Sequence, residues 1–454
     1  MTNYERCAPH VSPREFLTPE LSSAGFDWRS LFFQPMPKQL SVMCRRQCPF
    51  VNAAPAWRLS SGRYGLVLGL VALPCPLGFT MYVPAFQQMA DDLDSSVEAV
   101  PFTLASYFIA LAVGQNIYGP LSDRHGRKLS LYVGLSLFVG ASIAASFSRS
   151  IEELVIWRFG QGLGACASIA MTRAFVRDLH TGPEAAHLLG IVLLLSSIAP
   201  LLAPMLGSGI SALYSWRIIF WFLAGAGALG LLLVYSLLPE TRPPEKRTVA
   251  PITAILTDYW KLLRDREFIS LALTIGFGQA AFFAFVAGSP LIYISCFALE
   301  PWQYSIVFGF IAAIWGASAQ FTAPLMRWLG TERLVTISAG VGASISFLLI
   351  TIAEVELGGL WIMSGLFTLA FVASGLMMPA ATVLALHPHE SAAGTASAVL
   401  GTTGFASGAL ASALVTALAD GTAVPTLGIM AACALGFLVA AWSAFFVPRR
   451  EHNS

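Results

Sequence analysis

The groups that can carry or exchange charge are concentrated in one short segment, 119–128, set between two long apolar stretches. It contains one carboxylate and three cations: Asp123, Arg124, Arg127 and Lys128. A carboxylate in this setting can take up a proton, or it can cap the positive N-terminus of a neighbouring helix. So short a segment must also reverse the chain within a few residues, and Gly126 permits the tight turn that this requires.

A second group of chemical interest is Arg158, which lies inside another apolar stretch. A cation within a membrane span costs at least about 2.5–3.5 kcal/mol, so its side chain has to face the protein interior or water. A buried Arg158 can bias the protonation of a nearby carboxylate or hold an anion. The alternative is that Arg158 snorkels to the outer membrane interface, since it lies close to the end of its stretch.

The elements that position these groups are predicted to be membrane helices. Hydrophobic residues make up 56% of the 454 positions and charged residues only 11%, against roughly 25% charged in a soluble domain. The sequence has no polar catalytic cluster, no sizeable soluble domain and no Gly-rich nucleotide loop. We therefore expect a transporter and not an enzyme, with no cofactor, no metal and no nucleic acid partner.

Twelve stretches are long enough to cross the hydrocarbon core, which takes about 20 apolar residues. We number these predicted spans in chain order: 65–88, 99–120, 129–148, 153–178, 186–211, 217–238, 268–296, 303–326, 333–353, 358–385, 393–418 and 425–447. The predicted fold class is an all-α membrane protein with two six-helix bundles, 65–238 and 268–447, joined by a cytoplasmic linker, 239–267. Residues 448–454 are expected to be a cytoplasmic tail.

The N-terminal segment 1–64 is expected to be a disordered cytoplasmic tail, because its first sixty residues are polar and lack hydrophobic periodicity. A translation start at Met43 is the alternative. The same segment contains Cys44 and Cys48, but a zinc site there would lack two ligands, so a metal is not expected.

The distribution of Lys and Arg predicts the orientation of the spans. All but three of the 26 Lys and Arg residues lie in segments that fall on one side of the membrane; the exceptions are Arg149, Arg158 and Arg217. The loop 91–98 on the other side is acidic and has no cation. Both termini are therefore predicted to be cytoplasmic.

The two halves of the chain share a pattern at an offset of 204 residues. Gly119-Pro-Leu through Gly126 corresponds to Ala323-Pro-Leu through Gly330. An even number of spans per half predicts a parallel repeat about an axis along the membrane normal. The carboxylate is not repeated, because Asp123 of the first copy corresponds to Arg327 of the second.

The segment 119–128 resembles the loop between helices 2 and 3 of the major facilitator superfamily. The matching residues are Gly119, Leu121, Asp123, Arg124, Gly126, Arg127 and Lys128. The resemblance implies close helix approach at Gly119, and a contact of Asp123 with the start of span 11 near Gly394 that holds the cytoplasmic side in one of two rocking states. A topogenic basic loop is the alternative, and it accounts for the cations but not for Asp123 and both glycines.

Two further segments resemble motifs of the same superfamily. The motif in span 4 comprises Leu154, Arg158, Gln161, Gly162 and Gly164. The motif in span 5, which resembles that of the drug:proton antiporters, comprises Gly190, Ala199, Ala203, Pro204 and Gly207. Small residues on one stripe, together with proline, allow close and kinked packing against a partner helix. Generic packing of membrane helices is the alternative.

Residues 65–447 as a whole resemble the Bcr/CflA branch of the drug:proton antiporters. This resemblance implies a multi-pass protein of the inner (plasma) membrane that exports chloramphenicol-like or bicyclomycin-like amphipathic compounds by alternating access. Its partners would be a small-molecule substrate, the lipid bilayer and possibly protons, and we expect a monomer. The alternative is an uncoupled or differently coupled transporter of a small metabolite.

The sequence departs from this branch at Thr80, where members commonly carry an acidic residue. No Asp, Glu or His lies near the centre of any predicted span. Because intramembrane acids are the usual proton relay, coupling through Asp123 or Asp178 is a hypothesis, and uncoupled efflux is its alternative.

The substrate cavity is expected near the midplane, between the two halves. Its candidate residues were selected by depth and polarity, and each of them has simple packing as its alternative role: Thr80, Tyr82, Tyr107, Gln115, Asn116, Gln279, Phe282, Phe283 and Trp315. An apolar aromatic cavity with a few polar groups suits lipophilic substrates.

Overall fold

The structure is a computed structural model that describes residues 61–446, except 181, 243–244, 246, 248–251 and 356–358. The predicted tail 448–454 and most of the predicted tail 1–64, including Met43 and the cysteines beside it, lie outside the described residues. The first helix begins at Ser61, four residues before the predicted start of span 1.

Among the described residues, twelve helical segments are long and apolar enough to cross a membrane, which confirms the predicted number of spans. Their bounds are Gly62–Asp92, Val97–His125, Arg127–Ser146, Ile151–Leu179, His187–Leu213, Arg217–Leu237, Arg266–Cys296, Pro301–Leu329, Thr331–Glu354, Leu360–His389, Ala393–Ala417 and Val424–Ala444. We call the membrane side that carries the loop 119–128 the basic side, and the side that carries the loop 91–98 the acidic side.

Spans 1, 7 and 8 are not continuous α-helices. Span 1 is built from three α-helices and a 3₁₀ turn: Ser61–Ala72, Pro74–Thr80, Val83–Ala85 and Phe86–Asp92. Proline explains these breaks, because it lacks the N–H group that a helix interior needs. Span 7 continues from the α-helix Arg266–Pro290 into a π-helical turn, Leu291–Cys296. Span 8 consists of Pro301–Ser318 and Thr322–Leu329.

The packing of the spans repeats between the two halves. In the first half span 1 packs on span 5, span 2 on span 4, and span 3 on spans 4 and 6. The second half repeats these pairs as 7 on 11, 8 on 10, and 9 on 10 and 12. The halves meet through spans 2 and 11 and through spans 5 and 8, and a two-fold axis exchanges these two contacts. This is the geometry of a parallel repeat.

The turns at Gly126 and Gly330 are equivalent in the two halves. Gly126 has φ 101° and ψ 161°, and Gly330 has φ 84° and ψ 151°. Each glycine ends one helix and begins the next, and L-residues rarely adopt this region. The tight turn predicted at Gly126 is therefore present, and its partner lies at the predicted offset.

The linker contains a helix that the sequence analysis did not predict, Ile252–Arg264. Its Leu262 is buried, and its Tyr259 hydroxyl donates a hydrogen bond of 2.5 Å to Oδ1 of Asn116 in span 2. Burial raises the pKa of Tyr259, so the hydroxyl keeps the proton that it donates. The linker helix thus joins the second half to the basic half of span 2.

We predict that Gly126→Ala destabilises the fold by about 1–3 kcal/mol, because an L-residue is strained at this φ and the new Cβ would lie 2.6 Å from Oε2 of Glu240. Gly140→Ala is the matched control, since an added Cβ there meets nothing within 4 Å. Thermal unfolding of the purified protein in detergent measures both. Equal midpoints for the two variants would contradict this account of the turn.

Candidate functional site

A cluster of charged groups surrounds Arg127 on the basic side of the first half. Only 2% of the Arg127 side chain is exposed. Its Nη1 lies 3.0 Å from Oδ1 of Asp123, its Nε lies 3.0 Å from Oδ2 of Asp178, and it also donates to the Ser122 hydroxyl. Arg127 therefore joins the end of span 2, the start of span 3 and the end of span 4.

Asp123 has a second cation partner, because Nη1 of Arg242 lies 2.8 Å from its Oδ1. This arginine follows span 6 in the same half. The contact with span 11 that the resemblance implied is not among the described contacts of Asp123, and an added Cβ at Gly394 would meet nothing within 4 Å. An added Cβ at Gly119 would also meet nothing within 4 Å, so the close helix approach implied there is absent in this conformation.

The carboxylate that caps a helix in this cluster is Glu240 and not Asp123. Its two oxygens accept hydrogen bonds from the backbone N–H groups of Arg127 at 3.0 Å and Lys128 at 3.1 Å. These are donors at the N-terminus of span 3, where a negative charge is favourable. Sequence reasoning missed Glu240, because the cap lies more than 100 residues from the helix that it serves.

The other two cations of the segment 119–128, Arg124 and Lys128, are less buried than Arg127. The Nζ atom of Lys128 lies 5.8 Å from the centre of the Tyr132 ring. Arg124 is exposed. The structure therefore brings Asp123 and Arg127 together but leaves Arg124 outside the cluster.

Arg158 is fully buried, which excludes the alternative that it snorkels to the interface. Its guanidinium carbon lies 4.3 Å from the centres of both the Tyr82 and Tyr107 rings. The guanidinium also donates to Gln161, whose amide donates to the Ser142 hydroxyl at 2.7 Å. The cation is thus held by aromatic faces and a neutral amide, and cation–π contacts are strongest in such desolvated sites.

Tyr82 and Tyr107, the two tyrosines against Arg158, also form hydrogen bonds with other groups. The Tyr82 and Thr103 hydroxyls lie 2.7 Å apart, and the Tyr107 hydroxyl donates to the Cys75 carbonyl at 3.0 Å. Both rings are fully buried. Tyr82 and Tyr107 were predicted to line the substrate cavity, but here they surround Arg158 instead.

The glycines of the span 4 motif allow close helix contacts. An added Cβ at Gly162 would overlap the Tyr107 backbone of span 2. An added Cβ at Gly164 would overlap the backbone of span 3 at Gly134 and Phe138. These two positions bring the backbones of spans 2 and 3 against span 4, which places Arg158 within reach of Tyr107.

The span 5 stripe packs against both halves. An added Cβ at Gly207 would overlap the Met81 carbonyl in span 1, and Ala199 and Ala203 are buried. The Pro204 carbonyl accepts a hydrogen bond of 3.0 Å from the Ser305 hydroxyl in span 8. Contacts with a partner helix are therefore present at Gly207 and Pro204. At Gly190, an added Cβ meets nothing within 4 Å.

The Thr80 side chain forms its hydrogen bond within its own helix. Its hydroxyl donates to the Pro76 carbonyl at 2.7 Å, and the side chain is fully buried. A hydroxyl does not titrate near neutral pH, so this position cannot provide the proton site that an acidic residue would supply.

Aromatic side chains from both halves meet in the middle of the molecule. The Phe283 ring lies 4.0 Å from the Phe108 ring and 5.7 Å from the Phe79 ring. Beside it, Phe282 stacks on Trp315 at 4.0 Å. We call these five residues the aromatic seam. Phe79 and Phe108 were missed by sequence reasoning, because an apolar residue in a span has no signal that separates seam from lipid contact.

Three predicted polar residues lie at the contacts of span 11. Gln115 packs on Gly401, and Gln279 packs on Gly404. The Asn116 amide donates to the Thr402 hydroxyl at 2.8 Å, across the two halves. Gln115 and Asn116 thus close the boundary between the halves on the basic side of the seam, and Thr402 is a partner that the sequence analysis did not identify.

Arg173 contributes to the excess of cations on the basic side, and it also lies within the predicted bounds of span 4, 153–178. The structure places it in the helix Ile151–Leu179, six residues before its end.

The family model described as Major Facilitator Superfamily matches residues 68–412, which is more than half of the chain. The chain belongs to the Major Facilitator Superfamily. The predicted resemblance to this superfamily is confirmed. The family and the fold of this chain are those of transporters.

Curated relatives and solved structures of the superfamily agree with this assignment. The chain is 34% identical over 370 residues to the uncharacterized MFS-type transporter YdgK of Bacillus subtilis, covering 80% of this chain and 90% of that protein. It is 27% identical over 389 residues to the bicyclomycin resistance protein homolog of Haemophilus influenzae, covering 86% and 97%. The crystal structure of a D-xylose–proton symporter has a TM-score of 0.66 at 17% identity, covering 85% and 98%, which shows the shared fold alone.

We predict that Tyr82→Leu destabilises the protein more than Tyr82→Phe does. Phenylalanine keeps the ring face that lies over Arg158 and loses only the hydroxyl, whereas leucine removes the cation–π contact, worth about 2 kcal/mol in a desolvated site. Thermal unfolding in detergent compares the two variants with the wild type. Equal losses would assign the effect to the bond with Thr103 and contradict the ring's role.

Proposed function

We propose that this superfamily member exports small amphipathic or hydrophobic compounds across the inner membrane by alternating access. The observation that carries the proposal is the aromatic seam. It lies between the halves and brings rings of spans 1, 2, 7 and 8 into contact. Rocking of the halves would part these rings, and an apolar site with few polar groups suits lipophilic ligands.

The relatives support export over import. One relative is named for bicyclomycin resistance and matches nearly end to end. The packing of Gly207 on span 1 and of Pro204 on span 8 is consistent with the antiporter motif of span 5.

The orientation that fits this proposal places the basic side in the cytoplasm. Cytoplasmic segments carry an excess of Lys and Arg, and the cluster around Arg127 lies on that side. The acidic side would then face outward. In this arrangement the segment 119–128 meets the cytoplasm and both ends of the chain lie inside the cell.

The contacts between the halves fit a conformation that is closed on the acidic side. There the Ser305 hydroxyl bonds to Pro204, and an added Cβ on Gly309 would touch the backbone of Leu201. On the basic side, the two halves are joined by the hydrogen bond of Asn116 with Thr402. Nearer the basic surface, an added Cβ at Gly119 or Gly394 would meet nothing within 4 Å. Rocking of the halves about the seam would exchange these two closures.

The proton-coupled form of this transport requires a titrating group, and the centre of the membrane offers none. Asp123 and Asp178 both contact Arg127 on the basic side. A proton arriving at either carboxylate removes a charge that holds the cluster together. We therefore assign proton coupling to this cluster. Thr80 at the usual acidic position specifically favours the second candidate, uncoupled or differently coupled transport of a small metabolite.

Expression in a strain lacking its own efflux pumps tests the proposal. We predict lower susceptibility to at least one amphipathic compound of a chemically varied panel that includes chloramphenicol, and loss of this protection when a protonophore collapses the proton gradient. Growth inhibition measures the effect, with the empty vector as control. Unchanged susceptibility to every compound would contradict drug export, whereas protection that survives the protonophore would contradict proton coupling alone.

A further inference from the structure

The linker helix Ile252–Arg264 has one flank packed against the protein. It contacts spans 7 and 11, and its Leu262 is buried in a cluster that also contains Phe268 of span 7. One turn earlier, the Tyr259 hydroxyl donates its hydrogen bond of 2.5 Å to Asn116 of span 2. Tyr259 and Leu262 therefore mark the flank of the helix that faces the spans.

The position of this helix along the spans follows from its two ends of attachment. Span 7 begins at Arg266, two residues after the linker helix ends at Arg264. Asn116 lies nine residues before the end of span 2 at His125, which is about 13 Å along a helix. The linker helix is thus held beside the basic ends of the spans, at the level of the membrane surface.

The adjoining flank of the linker helix is apolar and uncovered. Leu256, Trp260 and Leu263 are 60%, 57% and 52% exposed. Their spacing of four and three residues places them on one stripe. At roughly 100° per residue, this stripe lies next to the flank of Tyr259 and Leu262. We call Leu256, Trp260 and Leu263 the linker stripe; water would leave these large apolar side chains unburied, whereas lipid would cover them.

Charged residues occupy the remaining faces of the helix. The Nζ atom of Lys261 lies 3.8 Å from Oδ1 of Asp258, and its side chain is largely exposed. The guanidinium carbon of Arg264 lies 4.6 Å from the centre of the Trp260 ring, at the edge of the linker stripe. None of the ion pairs among the described residues includes Arg264. A tryptophan with an arginine beside it is typical of the boundary between acyl chains and headgroups.

We propose that the linker helix docks in the basic-side leaflet of the bilayer, with the linker stripe inserted among the acyl chains and Arg264 at a lipid phosphate. An apolar stripe flanked by cations is the pattern of helices that lie in the membrane interface. The docked helix also holds Tyr259 on Asn116, which bonds to Thr402 of the other half. The leaflet thereby supports the contact between the halves on the basic side. This inference goes beyond the proposed function and does not depend on what is transported.

Fluorescence quenching of the full chain in lipid nanodiscs tests the docking. The emission of the wild type minus that of Trp260→Phe isolates Trp260 from the other tryptophans, and its exposed position makes this variant a mild one. We predict that phosphatidylcholine brominated near the glycerol end of its acyl chains quenches about half or more of this signal, since an interfacial helix buries its apolar face about 5–10 Å into the leaflet. Acrylamide, which stays in water, is predicted to quench little of it.

A tryptophan moved by one residue provides the matched control. Adding Lys261→Trp to Trp260→Phe turns the ring by roughly 100°, from the linker stripe to the charged face. The signal of this double variant is measured against Trp260→Phe alone. We predict weak quenching by the brominated lipid and strong quenching by acrylamide.

Three results would overturn the proposal. Quenching of Trp260 by acrylamide but not by the brominated lipid would show that the linker stripe faces water. Quenching by neither would show that protein covers it, from another segment of the chain or from a second copy. Equal lipid quenching at positions 260 and 261 would contradict insertion by one face. Drug export that fails while Trp260 is quenched by the lipid would contradict the proposed function and leave the docking in place.

Discussion

The basic side of the first half depends on the ion pairs of the buried Arg127 guanidinium. This guanidinium is shared by the carboxylates at the ends of spans 2 and 4, and the backbone N–H of Arg127 donates to Glu240. Removing one partner from a buried ion pair leaves a charge without compensation, which is costly. The position of span 3 relative to spans 2 and 4 is therefore tied to the charge state of Asp123 and Asp178.

The contrast with Arg158 supports the proposal that the cluster at the membrane surface couples transport to protons. Among the described residues no carboxylate pairs with Arg158, and its neighbours Tyr82, Tyr107 and Gln161 are groups that keep their protonation state near neutral pH. Such neighbours hold a cation in the membrane without responding to protons. A proton can weaken an ion pair where a carboxylate faces a cation, and Asp123 and Asp178 form such pairs on the basic side.

Much of the fold was predictable from the sequence, because its signals are local. Apolar length marks the spans, and the glycine at Gly126 marks a turn that only glycine adopts readily. The contacts that complete the site come from distant segments. Glu240 caps a helix that begins 113 residues earlier, and Thr402 bonds to Asn116 from the other half. Nothing near these residues in the sequence predicts such partners, because packing of the halves creates them.

Burial also changed the interpretation of single residues. Tyr82 and Tyr107 have the depth and polarity of substrate contacts, and the structure uses both to enclose Arg158. The residue type was informative, while the role of each tyrosine depended on which helix face pointed inward.

Proton movement in liposomes with a trapped pH dye tests most directly whether the cluster around Arg127 is the coupling site. A gradient of the best-exported compound would drive proton counterflow in the wild type and in Asp94→Asn, an exposed control on the acidic side whose φ of 48° suits asparagine. The account predicts that Asp123→Asn or Asp178→Asn abolishes the counterflow while the compound still moves. Counterflow equal to the wild type in both variants would contradict it.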